Sequence, residues 1–318
     1  MSETAIEQAV FVREGNGSGQ FRSRSPGFRE EWCPDTQRLC DGFGSPSAGM
    51  ECPTSVFAHR LTRDQVAVVQ VCDLGTGGTK SPGSTGFRLL IIPRLFYEEW
   101  IGDPFVVADR FPPRWQDKDP LLALSWPFER LPNRKVEEIK RLLRPADDSS
   151  GHGISQSATL LGGAQALVDG GRLVFERSVP DPEIVRNLWL LLPTSSRCKL
   201  WPATFAFSNA LQFDVVIVPR ARGEEFARYL TEEQAGDYPE GRYEMGLQFA
   251  AESGDQQELD RLFARRSITQ TLRLGLIILA CSIALVLGVK LLNTMMFAPK
   301  AGGPAPATQP SETGKGRS

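Results

Sequence analysis

The stretch REGNGSGQFRSRSPGF, residues 13–28, decides how the amino-terminal part of the chain folds. Gly15, Gly17 and Gly19 alternate, and Arg22 and Arg24 follow, a composition that suggests a phosphate cradle. A P-loop needs G-x-x-x-x-G-K-[ST], in which lysine reaches the phosphates and a hydroxyl holds magnesium. The first lysine of this chain is Lys80. A dinucleotide loop needs G-x-G-x-x-G leading into a helix, whereas here the spacing is G-x-G-x-G and the chain runs into Pro26. The residues instead predict a hairpin: a strand over 6–12, a glycine turn, and a return strand that stops at Ser25-Pro26-Gly27.

Outward from that hairpin, apolar and β-branched runs predict further strands over 66–72, 87–92, 172–175, 203–207 and 213–218. Helical periodicity covers 133–143, 154–167, 182–192 and 224–230. Pro145 stops the first helix, and Asp181 before Pro182 is an N-cap followed by a tolerated proline. The fold class is therefore α+β, a mixed-sheet domain over residues 1–252. FRLLIIPRLFYEEW (87–100) also lies over FDVVIVPRARGEEF (213–226) without a gap. If these are copies, the domain divides into two similar lobes, 1–132 and 133–252. Arg94 and Arg220 would then stand at equivalent strand ends, candidate contacts for a partner or an anion. Chance matching of two strand–turn–helix units explains the overlay equally well.

The whole chain sets bounds on function. At 318 residues it can bury one large core or two small ones. Its 36 basic and 38 acidic residues give no global field for nucleic acid. With 30 glycines and 23 prolines, many turns and long connections are expected. Six cysteines without a C-x-x-C pair, and an amino terminus without a basic, apolar leader, read as reduced thiols on the cytoplasmic side.

The carboxyl-terminal part carries the longest apolar run, LRLGLIILACSIALVLGVKLLNTMMF, residues 272–297. A helix of about 20 residues crosses the hydrocarbon core, so this run predicts one transmembrane helix. Arg265, Arg266 and Arg273 flank it on one side and Lys290 on the other. That bias places the amino-terminal domain in the cytoplasm and makes the protein a single-pass, tail-anchored protein of the bacterial cytoplasmic membrane. Residues 253–271 read as a juxtamembrane helix, with Asp255 capping and Glu258 three residues on. Residues 298–318 are too rich in Pro, Gly, Ala and Ser to pack a core and read as a disordered tail outside the membrane.

Little in the chain has the spacing of catalysis. DLGTGGTKSPGSTG (73–86) lies between two strand-like runs and reads as a long hairpin loop, and Asp147-Asp148 reads as loop. The two histidines are His59 and His152, and zinc spacing is absent. Cys198 between Arg197 and Lys199, or a serine, could act with His59 or His152 in a membrane-bound hydrolase. No cofactor is expected. The start of the chain, with Gln8, Phe11, the glycine turn and Ser25-Pro26-Gly27, resembles the amino-terminal domain of bacterial GTPase-associated proteins. The block NLWLLLPTSSRCKLWPATFAFSNALQFDVVIVP (187–219) is similar to that family's helix ending in Leu-Leu-Pro and the Thr-Phe strand after it. The resemblance implies a non-catalytic adaptor that works beside a GTPase or related regulator, here at the membrane. It transfers no catalytic residue. The rivals are the hydrolase and a structural component of an envelope complex whose tail makes the contact.

Overall fold

Residues 13–28 form a hairpin. Strand β1 (Glu3–Arg13) pairs antiparallel with β2 (Gly19–Arg24), with a bulge at Val10/Phe11. Gly17 turns the chain at φ 86°, a backbone angle that favours glycine, and at Gly19 a Cβ would lie 2.3 Å from the Phe11 ring, so the ring's close approach leaves no room for a side chain. The arginines have structural employment. Arg13 donates to the carbonyls of Cys40 and Gly44, Arg22 faces Glu14 at 3.5 Å, and Arg24 meets Glu30 at 2.7 Å. The computed structural model describes residues 3–15, 17–46, 52–73, 84–112, 121–144, 156–264 and 275–288. Lys80, Asp147, Asp148, His152, Arg265, Arg266, Arg273, Lys290 and the expected tail 298–318 lie outside them.

The chain continues through α1 (Cys33–Gly42), β3 (Ser55–Arg60), β4 (Gln65–Asp73) and β5 (Thr85–Pro93). A short helix α2 (Arg94–Phe96) runs into a π-helical turn (Tyr97–Ile101), then α3 (Pro104–Ala108) and β6 (Leu124–Pro127). Next come α4 (Val136–Leu142), α5 (Gln156–Val168), β7 (Leu173–Glu176), α6 (Pro182–Leu191) and α7 (Thr194–Arg197). After β8 (Pro202–Ala203) and β9 (Val215–Val218) the unit closes with α8 (Glu232–Gly236), α9 (Arg242–Ser253) and α10 (Gln256–Phe263).

The strands form one sheet in the order β2-β1-β5-β4-β3-β8-β9-β7, with β6 on the first half of β1. Pairing is antiparallel as far as β8 and parallel across β8-β9-β7, so the fold is α+β with a mixed sheet. The central strands are buried on both faces. Val69, Val71, Phe87 and Leu89 point into a core shared with Leu39 and Phe43, while Val66, Val68, Leu90 and Ile92 meet Phe96, Tyr97 and Trp126. That period-2 division explains why β4 and β5 read as continuous apolar runs. On the same face as the second cluster, but over β7 and β9, helices α4, α5, α6, α9 and α10 enclose Phe175, Ile217, Leu188 and Trp189. Residues 1–267 cluster as one compact unit and 268–318 as another.

Two expectations change here. Among the described residues, no helix is long and apolar enough to cross a membrane. The helical stretch described in the second unit is 275–288, and the rest of 272–297 lies outside the described residues. The transmembrane helix over 272–297, the single-pass anchor and the placement at the cytoplasmic membrane are corrected accordingly. Arg265, Arg266, Arg273 and Lys290, expected to flank the membrane, lie outside the described residues. The segment read as a juxtamembrane helix is, as far as it is described, part of the domain. Asp255 accepts from the Glu258 amide, and α10 buries Leu259 and Phe263 in the helical core.

Candidate functional site

Where the two helical layers meet on one face of the sheet, a cleft of about 530 Å³ opens, within the range of ligand-sized sites. One wall is the π-helical turn with Glu98, Glu99, Trp100 and Ile101, and the opposite wall carries Arg134, Asp260 and Phe263. π-helical turns are rare and concentrate at functional sites. This one ends at Gly102, whose φ of 58° favours glycine, and leads directly into Asp103.

Asp103 does two jobs. It caps α3 by accepting from the Phe105 amide at 2.9 Å, and its other oxygen pairs with Arg197. Both are buried, at 5 % and 7 % exposure. Burial lowers the Arg197 pKa to about 10, which leaves it charged at neutral pH. Its Nε, and the hydroxyl of neighbouring Tyr97, are shut from water without a partner, and burial raises the Tyr97 pKa.

Arg134 is held differently. Its Nη1 donates to the carbonyls of Leu190 and Leu192 at 2.5 and 2.6 Å, and its guanidinium lies 3.3 Å from the Phe263 ring centroid. Burial lowers its pKa to about 10. Gln256 fixes this wall by donating to the Arg134 carbonyl and to Asp260, and Asn133 donates to the second Asp260 oxygen. At the mouth, exposed Arg130 lies over Trp100, whose ring meets Phe128 edge-on at 5.5 Å.

Arg94 stands beside this cleft. Its Nε donates to Glu98 at 2.7 Å, and Glu98 lines both the cleft and a recess of about 450 Å³ around Arg94. Arg220 is elsewhere. Strand β5 runs antiparallel to β9 through the chain of pairings, so the two arginines follow opposite ends of the sheet. Four strand spacings, about 19 Å, also separate their strands. They do not share one anion site.

The thiol and imidazole named in the sequence are not poised for nucleophilic catalysis. Cys198 is buried with its sulfur 3.6 Å from the Ser195 carbonyl, and burial raises its pKa, the reverse of thiolate activation. We expect native-state alkylation to reach half-exposed Cys33 well before Cys198, with Cys198 modified only after unfolding, as read by peptide mapping. The His59 nitrogens face the carbonyls of Arg60 and Leu211 at 3.0 and 3.1 Å, so neither is offered to a thiol. Burial lowers the His59 pKa despite these acceptors. The unfolded chain therefore takes up the proton first, near pH 6.5. Stability falls as pH drops below that point, by at most about 1.4 kcal/mol per pH unit for one group, and levels off once the folded form is also charged. Denaturant titrations across pH should show this slope flattened in His59→Gln.

Sequence reasoning missed Asp103, Arg130 and Arg134. Gly102-Asp103-Pro104 does carry a local helix-start signal, but its partner Arg197 is far along the chain. Compared with protein-family models, curated proteins and solved structures, the chain matches none.

Proposed function

We propose that the domain is a non-catalytic adaptor that binds a protein partner through the cleft and its aromatic mouth. The observation that carries this reading is the composition of the lining. Trp100 lines the mouth with Arg130 over its ring and Phe128 edge-on against it, in front of the arginines and carboxylates within. Trp and Arg are the side chains that dominate binding energy at protein interfaces. Leu95, 73 % exposed on the same helical segment, extends the apolar surface. The resemblance of residues 6–28 and 187–219 to the amino-terminal domain of bacterial GTPase-associated proteins makes a GTPase or related regulator the partner of choice.

The test is capture of the partner by the tagged full-length chain after crosslinking in its native cell. Arg130 is exposed, so Arg130→Glu leaves folding intact and is expected to weaken capture at least tenfold, about 1.4 kcal/mol. Capture undiminished by Arg130→Glu counts against the cleft as the binding surface.

A further inference from the structure

Three guanidiniums and three carboxylates line the cleft, but they are not paired with one another. The guanidiniums are those of Arg130, Arg134 and Arg197. Arg197 has Asp103. Among the described residues, Arg130 and Arg134 have no carboxylate within ion-pair distance; Arg134 is held by backbone carbonyls and an aromatic face. None of the three carboxylates of the lining contacts Arg130 or Arg134 within ion-pair distance, although Asp260 keeps its charge nearby. Glu98 is tied to Arg94, Asp260 accepts from Asn133 and Gln256, and Glu99 is exposed at the mouth. Glu138 and Asp260 act on Arg134 only from beyond ion-pair distance, and a largely buried cation without a contacting counter-ion is costly unless something supplies one. A cleft adjoins this one.

We infer that the cleft receives an acidic side chain of the partner, its carboxylate docking between Arg134 and Arg130. This rests on the recruitment reading above and adds the chemistry that the partner must present. A planar monoanion suits the guanidinium fork and accepts bidentate bonding. A phosphate dianion would meet stronger repulsion than a monoanion from exposed Glu99 at the entrance, which favours a carboxylate. Glu99 in turn suits a basic residue beside the acidic one, so the matching segment carries both charges.

The experiment follows the Arg134 Nε–H resonance by NMR in the full-length protein. The probes are acetyl-glutamate amide, its neutral isostere acetyl-glutamine amide, and inorganic phosphate. The expected result is a saturable shift with the glutamate compound, none with the glutamine compound, and a weaker response to phosphate. Arg130→Gln, at an exposed position, should weaken the glutamate response about tenfold, and added salt should weaken it further. No shift with glutamate, or an equal shift with glutamine, overturns the inference. Saturation by phosphate at lower concentration overturns it too and assigns the site to phosphate. If glutamate fails while partner capture still depends on Arg130, the inference falls and the recruitment reading stands. If glutamate binds while no protein is captured, the recruitment reading falls instead.

Discussion

Asp103→Ala is expected to destabilise the domain by about 3–5 kcal/mol, the cost of leaving a buried charge without its partner. The side chain is 5 % exposed, pairs with a guanidinium that is 7 % exposed, and also caps α3. Lost capping alone accounts for about 1 kcal/mol, so most of the effect comes from stranding Arg197. Arg197 already has an unpartnered Nε, which leaves it little alternative bonding. Replacing both residues by apolar ones of similar volume should recover most of the loss, because two desolvated charges disappear together. Urea unfolding of the two single variants and the double variant measures this directly. A loss under about 1 kcal/mol in Asp103→Ala would show that the pair is wet and carries no more than a surface salt bridge does.

The second large effect is at Trp189. Its indole is fully buried on α6, edge-on to Phe105 at 5.9 Å, at the centre of the helical core. Trp189→Ala should cost about 3–5 kcal/mol through lost burial and the cavity left behind. Trp189→Phe should cost much less. It keeps an aromatic ring against Phe105 and removes the indole N–H, which is buried without an acceptor at a penalty of about 1–3 kcal/mol. Equal losses in the two variants would mean that the N–H is satisfied and that volume alone sets the cost.

The parts of the fold that could be read from sequence are those whose signals are local. The hairpin at residues 13–28 followed from turn glycines and a proline stop, and it formed with Gly17 in the left-handed region. Asp181 caps α6 by accepting from the Ile184 amide, as its place before Pro182 implied. Failures occurred where tertiary contacts override local pattern. The helix expected over 224–230 shrinks to a single turn, Glu224–Phe226, because Leu230 bonds instead to the backbone of Arg172 and Val174 beside β7. Helix α9 escaped notice because Met245 and Phe249 are exposed while small Ala250 and Ala251 are buried, which blurs the apolar stripe. The apolar run 272–297 set an expectation by composition alone, and among the described residues no helix is long and apolar enough to meet it.

The overlay of 87–100 on 213–226 shows a related limit. Both segments begin as buried strands that end at a proline, but β5 sits between antiparallel neighbours and β9 between parallel ones. Similar local chemistry therefore serves opposite chain directions, and Arg94 and Arg220 part company. The cleft was least legible of all. Arg134 acquires its place from Leu190, Leu192 and Phe263, and Arg197 from Asp103. No local pattern announces pairings between residues so distant along the chain.

The central claim is that the partner docks at the cleft mouth. It is tested most directly by placing a photo-crosslinking residue at position 100, and separately at position 220, in the full-length protein in its native cell. The account predicts one partner crosslinked strongly from position 100, identified by mass spectrometry as a GTPase or a GTPase regulator, and not from position 220. A partner crosslinked only from position 220, at the far end of the sheet, would contradict it.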